Sequence, residues 1–126
     1  MSKNLVLVDD SSTIAVSVRF VFEQNDFVVH HATDGNLGIE LINKIINSGE
    51  TVSIVICDIN MPNKDGMEFL QDIKSDPKLK FIPVLMLTSE SQVTRMNQAK
   101  KLGATGYLVK PFHPEQLLDL VKKFAR

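Results

Sequence analysis

Short, nearly continuous apolar runs recur along this chain, and each is followed by a stretch with helical spacing. Leu5-Val6-Leu7-Val8, Val52 to Cys57 and Ile82 to Leu87 show no clean alternation of polar and apolar residues. A strand that is apolar on both faces has to be covered on both faces, which a parallel sheet flanked by helices achieves. Between these runs the period changes from strand-like to helical. The first helix is expected to start at an N-cap at Ser12 and to present Ile14, Val18, Val21 and Phe22 as one stripe before ending near Asn25.

The pattern strand then helix occurs five times, which specifies an α/β fold. A doubly wound (βα)5 arrangement is expected, a five-stranded parallel sheet with helices on both faces, whose strand order would be 2-1-3-4-5 if the fold is flavodoxin-like. Phe27 to Ala32 is the less apolar edge strand. Asp34 opens a second helix with Leu37, Leu41 and Ile45 facing inward, and Ser48-Gly49 stops it. After the loop 59–66, where Pro62 and Gly66 bar helix continuation, Asp65 caps a third helix with Met67, Leu70 and Ile73 inward, ended by Asp76-Pro77. A fourth helix is expected over Ser91 to Leu102, with Val93, Met96, Ala99 and Leu102 inward and Gly103 closing it. Tyr107 to Val109 form the fifth strand and Pro114 to Phe124 the last helix.

At 126 residues the chain is expected to form one domain, 1–126, with no further output domain. No apolar run approaches the ~20 residues of a membrane span, and Met1 to Lys3 are too few and too polar for a signal peptide. A net charge of -1 argues against nonspecific nucleic-acid binding, although the segment after residue 89 is locally basic. Cys57 has no disulfide partner in the chain and reads as a small buried hydrophobe in a reducing, cytoplasmic setting. His30 and His31 are adjacent on a strand, point to opposite faces and cannot share one metal.

Four strand tips carry chemistry: Asp9-Asp10, Asp58, Thr88 and Lys110. In an open α/β sheet such tips converge outside the carboxyl ends of the strands, and strands one and three adjoin at the switch point of a 2-1-3-4-5 order. Asp9-Asp10 with Asp58 offer hard oxygen ligands suited to Mg²⁺, whose charge would make their mutual repulsion tolerable. A carboxylate can act as nucleophile and carry a phosphoryl group, and Asp58 is the candidate. Lys110 and the Thr88 hydroxyl would then contact phosphoryl oxygens. Each residue alone has an ordinary reading as a cap, a strand former or a solvated surface charge. The specificity lies in their joint placement.

From Leu5 through Phe124 the chain resembles the receiver domain of two-component response regulators, most of all the stand-alone CheY-like chemotaxis type. The residues that carry the resemblance are Asp9-Asp10, Asp58 with the following 59–66, Thr88-Ser89-Glu90 and Gly103 through Phe112. It implies that Asp58 is the phosphoacceptor, loaded from a phosphohistidine on a sensor histidine kinase. Mg²⁺, for which Mn²⁺ could substitute, would be held by Asp10, Asp58 and the backbone carbonyl of Asn60, with Asp9 supporting it through water. Thr88, Lys110 and the switch aromatic Tyr107 would read the phosphoryl group and reshape the face made by the fourth helix, fifth strand and fifth helix for a downstream target. Asn60 and Glu90 would set the rate of self-dephosphorylation, expected to be fast. A cis Lys110-Pro111 bond and a structural Gly66 are implied as well, as are a monomer, no direct nucleic-acid contact and no activity beyond self-phosphorylation and self-dephosphorylation.

The sequence departs from the chemotaxis type at the output face. Val93 and Leu120 stand where lysines are expected, and Gly38 replaces an alanine common in the second helix, which should weaken it slightly. The rival enzyme reading is a haloacid-dehalogenase-like phosphatase, which needs a second Asp two residues beyond the nucleophile. Here that position is Asn60, which cannot act as an acid. A flavodoxin-like cofactor binder is disfavoured by Asp9-Asp10, which would repel a flavin phosphate. Within the receiver class, a phosphorelay intermediate or phosphate sink is the alternative to a motility regulator.

Overall fold

The computed structural model describes residues 2–61 and 63–126, apart from the side chain of Glu90; the expected role of Pro62 in barring helix continuation lies outside the described residues. Five parallel strands, β1 (Lys3–Val8), β2 (Phe27–Ala32), β3 (Val52–Asp58), β4 (Val84–Ser89) and β5 (Gly106–Lys110), form one sheet in the order β2-β1-β3-β4-β5. They alternate with α1 (Ser12–Phe22), α2 (Gly35–Asn47), α3 (Gly66–Ser75), α4 (Met96–Lys101) and α5 (Pro114–Phe124). This is the flavodoxin-like arrangement expected from the sequence. Among the described residues, no helix is long and apolar enough to cross a membrane.

The sheet divides the core in two because successive strand residues point to opposite faces. Leu5, Leu7, Ile54, Ile56, Leu85 and Leu87 meet α1 and α5 on one side. Val6, Val8, Val55, Cys57, Val84 and Met86 meet α2, α3 and α4 on the other. Every residue of β3 is buried, which explains the unbroken character of its sequence. Phe22 and Phe69 are the largest fully buried side chains, one in each half. Truncating either to alanine would cost about 3–5 kcal/mol.

Several local expectations are corrected. Ser11, not Ser12, caps α1, its hydroxyl accepting from the Ile14 amide at 3.2 Å. The cause lies one turn earlier: the Asp9 carboxylate takes the Ser11 amide at 2.9 Å and starts the turn there. In α2 the inward line is Gly38, Ile42 and Ile45, whereas Leu37 is 45% exposed and Leu41 only half-buried. Gly38 is what rotates the helix. A Cβ there would stand 2.8 Å from Val8 Cγ2 and 3.0 Å from Phe69 Cε1, so the missing side chain lets α2 lie directly on the sheet. The glycine thus gives close packing in return for its weaker helix propensity.

The fourth helix is shorter than its stripe suggested. Glu90–Arg95 form a 3-10 segment and only Met96–Lys101 are α-helical, with Met96 and Ala99 buried beneath them. β4 starts at Val84 rather than Ile82, since Pro83 lacks an amide, although its carbonyl accepts from Val55 at 2.9 Å. β4 also runs on to Ser89, placing Thr88 inside the strand. Leu120 packs against the α1/α5 side of the core, and Val93 is half-buried. Cys57 is fully buried, and burial together with the nearby Asp58, Asp9 and Asp65 charges pushes its thiol well up.

Candidate functional site: an acidic cluster at the strand tips

Parallel register brings the tips together. Val8 pairs with Cys57, so the residues that follow, Asp9 and Asp58, sit side by side, and Ser89 pairs with Lys110 on the next pair of strands. Asp9 is fully buried, Asp58 is 7% exposed and Asp10 is exposed. One carboxylate oxygen from each of the three lies within 4.8 Å of the others. From the far side, the Lys110 ammonium donates to Asp58 Oδ2 at 2.9 Å and to Asp9 Oδ2 at 3.0 Å.

The remaining carboxylate oxygens are held by backbone. Asp58 Oδ1 accepts from the Asn60 amide at 3.1 Å and Asp9 Oδ1 from the Ser11 amide at 2.9 Å. Gly66 allows the loop after β3 to fold back on the strand. Its amide donates to the Ile59 carbonyl at 2.9 Å, and a Cβ there would stand 2.5 Å from the Asp58 carbonyl oxygen. His31 is a supporting residue that the sequence reading did not assign to the site. Its Nε2 donates to the Asp9 carbonyl at 2.7 Å, a contact implied by the β1–β2 register, which pairs Leu7 with His31 two residues before Asp9.

The charges do not balance. Burial pushes the Asp9 carboxyl up, and the opposing Ser11 amide and Lys110 ammonium do not undo that; the Asp58 charge adds to it. Burial works to lower the Lys110 ammonium, but its hydrogen bonds and charge contacts with Asp58 and Asp9 outweigh this and raise it. Three carboxylates face one ammonium, so a divalent cation would neutralise the remainder. The donor set fits Mg²⁺: ligands at about 2.1 Å stand about 3.0 Å apart when adjacent and about 4.2 Å when opposite. With one oxygen from each acid within 4.8 Å of the others, the three carboxylates are close enough to surround one cation, directly or through water.

Two of the expected site residues face elsewhere. Thr88 is fully buried and its hydroxyl donates to the Ser89 carbonyl at 3.1 Å rather than toward Asp58. Tyr107, on the neighbouring strand, is 40% exposed. Lys110-Pro111 is cis. The expected part played by Glu90 rests on a side chain outside the described residues.

The sequence pattern of the response regulator receiver domain matches residues 5–122. The chain belongs to that family. As a receiver domain it is similar in structure to the chemotaxis protein CheY4 of Vibrio cholerae, with a TM-score of 0.87 and 33% identity over 98% of this chain and 99% of that one. A response regulator receiver domain protein from Clostridium thermocellum superposes with a TM-score of 0.84 at 27% identity, covering 96% of this chain and 92% of that one. The regulatory protein VanRc of Enterococcus gallinarum is 34% identical over 126 residues, all of this chain and 51% of that protein. The chain spans about half the length of the curated relatives it matches. Receiver domains exchange signals with sensor histidine kinases and downstream targets, and the family generally uses Mg²⁺, for which Asp9, Asp10 and Asp58 provide a candidate cluster.

Proposed function

We propose that this receiver domain is a phosphoacceptor switch of the chemotaxis type, in which Asp58 takes the phosphoryl group of a phosphohistidine on a sensor histidine kinase. The observation that carries the reading is the convergence of Asp9, Asp10 and Asp58 on one crevice with Lys110 bridging two of them. In the transfer, a carboxylate oxygen of Asp58 forms the new O–P bond as the donor N–P bond breaks, and the imidazole leaves with the electron pair. Asp10, Asp58 and the Asn60 carbonyl would hold Mg²⁺, which when bound neutralises charge on the phosphoryl oxygens, and Asp9 would support it through water.

Lys110 stabilises the incoming charge by moving its hydrogen bond from Asp58 to a phosphoryl oxygen. Thr88 then exchanges the Ser89 carbonyl for another phosphoryl oxygen, and its rotation frees room into which the Tyr107 ring turns. The exposed Tyr107 and the Thr88 hydroxyl bonded to the Ser89 carbonyl fit the resting member of such a pair of states. The α4-β5-α5 face changes shape with Tyr107 and addresses a target protein in the cytoplasm. Likeness to a chemotaxis protein over nearly the whole of both chains favours a role in motility signalling. We take the chain to have no turnover chemistry beyond loading and losing its own phosphoryl group.

Intact mass after incubation with acetyl phosphate and Mg²⁺ tests this. One added phosphoryl group in the wild type and none in Asp58→Asn or in EDTA is the expected result. Full labelling of Asp58→Asn would remove Asp58 from its role.

A further inference from the structure

The loop that follows the phosphoacceptor carries the Asn60 carbonyl, and its outer arm is tied to a different element. Asn63 sits in the left-handed region at φ 69, and its side-chain amide donates to Asp34 Oδ2 at 3.0 Å. Asp34 Oδ1 meanwhile accepts from the Leu37 amide at 2.9 Å, capping α2. One carboxylate therefore fixes both a helix start and a loop. The hydrogen bonds from Leu37 and Asn63 hold its carboxyl below the usual range. Lys64, the next loop residue, lays its stem across Gly35 and pairs with Asp72 on α3, adding a second contact at the same place.

The element that anchors the loop is itself rigidly placed. α2 presses its Gly38 onto Val8, the residue immediately before Asp9. Position is thus passed from the end of β1, through α2 and Asp34, to the loop bearing Asn60. The two sources of metal ligands, the β1 tip and the β3–α3 loop, are thus both fastened to α2, an element outside the site.

We propose that Asp34 is a positioning residue: through Asn63 it holds the β3–α3 loop in the geometry that presents the Asn60 carbonyl to the cation. This rests on the metal site proposed above. It assigns to Asp34 a part in cation affinity beyond its helix cap.

The test is Mg²⁺ titration by isothermal calorimetry, with melting in EDTA as a control for folding. Asn63→Gly keeps the left-handed backbone and the net charge while removing only the side-chain bond. Asp34→Ser keeps an N-cap but is too short to reach Asn63. Each is expected to weaken Mg²⁺ binding by about fivefold, less than loss of a group that touches a ligand directly. The double variant should be no weaker than the weaker single. The exchange Asp34→Asn with Asn63→Asp restores the bond with donor and acceptor reversed and should return affinity to within about twofold of wild type. Single variants that bind as wild type does, losses that multiply in the double variant, or an exchange that rescues nothing would overturn the clamp. Absence of Mg²⁺ binding in the wild type would instead overturn the metal site itself, and the clamp with it.

Discussion

Replacing Lys110 by methionine removes the ammonium while keeping most of the stem. Two charge-assisted bonds are lost, at 2.9 and 3.0 Å, and the carboxylates left behind have side chains only 10% (Asp58) and 0% (Asp9) exposed. Removing one partner of a fully buried pair costs about 3–5 kcal/mol. Lys110 itself is 24% exposed, so water already screens part of the interaction and about 2–3 kcal/mol is a fairer expectation. For 126 residues the unfolding entropy is about 0.26 kcal/mol per kelvin, so the melting temperature should fall by roughly 8–12 °C in EDTA at neutral pH.

The sign of the pH dependence follows from Asp9. Its folded carboxyl is already raised by burial, and losing Lys110 raises it further. An acid whose folded pKa lies above its unfolded value favours the fold while protonated, and that contribution is lost as pH rises through the folded value. The deficit of Lys110→Met relative to wild type should therefore shrink as pH falls through the raised Asp9 value toward the ordinary carboxylate range. Millimolar Mg²⁺ should also recover much of it, because a cation replaces the missing charge. Paired thermal melts across pH, with and without Mg²⁺, measure both effects. A deficit that ignores pH and Mg²⁺ would mean that Lys110 stabilises by packing alone, and the electrostatic account of the site would fail.

Gly38→Ala should destabilise by about 1 kcal/mol in chemical denaturation, because overpacking against Val8 outweighs the helix-propensity gain; adding Phe69→Leu should relieve part of the crowding, and a stabilised Gly38→Ala would refute the close approach. Gly66→Ala places a Cβ 2.5 Å from backbone that cannot yield and should cost roughly 3 kcal/mol or more; wild-type melting would contradict it. Asn60 and Glu90 lead us to expect rapid loss of the phosphoryl group, read as phosphate release, and a lifetime of hours in Mg²⁺ would refute that.

The parallel sheet and the meeting of Asp9, Asp10, Asp58 and Lys110 were legible in the sequence because buried parallel strands leave unbroken apolar runs, and strands one, three and five run into Asp9-Asp10, Asp58 and Lys110 at their carboxyl ends. Helix orientation was less legible. In α2 the periodicity admits two neighbouring stripes, and only the contact of Gly38 with Val8 and Phe69 selects Ile42 over Leu41. The 3-10 turn over Glu90–Arg95 preserves the apolar residues of a helix while changing its geometry, so spacing alone did not reveal it. Ser11 and Ser12 are equally good caps in isolation, and the Asp9 carboxylate decides between them. His31 and the Asp34–Asn63 bond join residues distant in sequence through neutral or loop positions that carry no periodic signal.

Charge on Asp58 is expected to reposition Tyr107. The chain has one tyrosine and no tryptophan, so its intrinsic emission reports Tyr107 alone. Acrylamide quenching of that emission, measured with Mg²⁺ before and after addition of beryllofluoride, tests the claim directly. Quenching should fall in the wild type as Tyr107, 40% exposed at rest, turns its ring inward, and it should stay unchanged in Asp58→Asn. Unaltered quenching in wild type that has demonstrably bound beryllofluoride, or an equal change in Asp58→Asn, would contradict it.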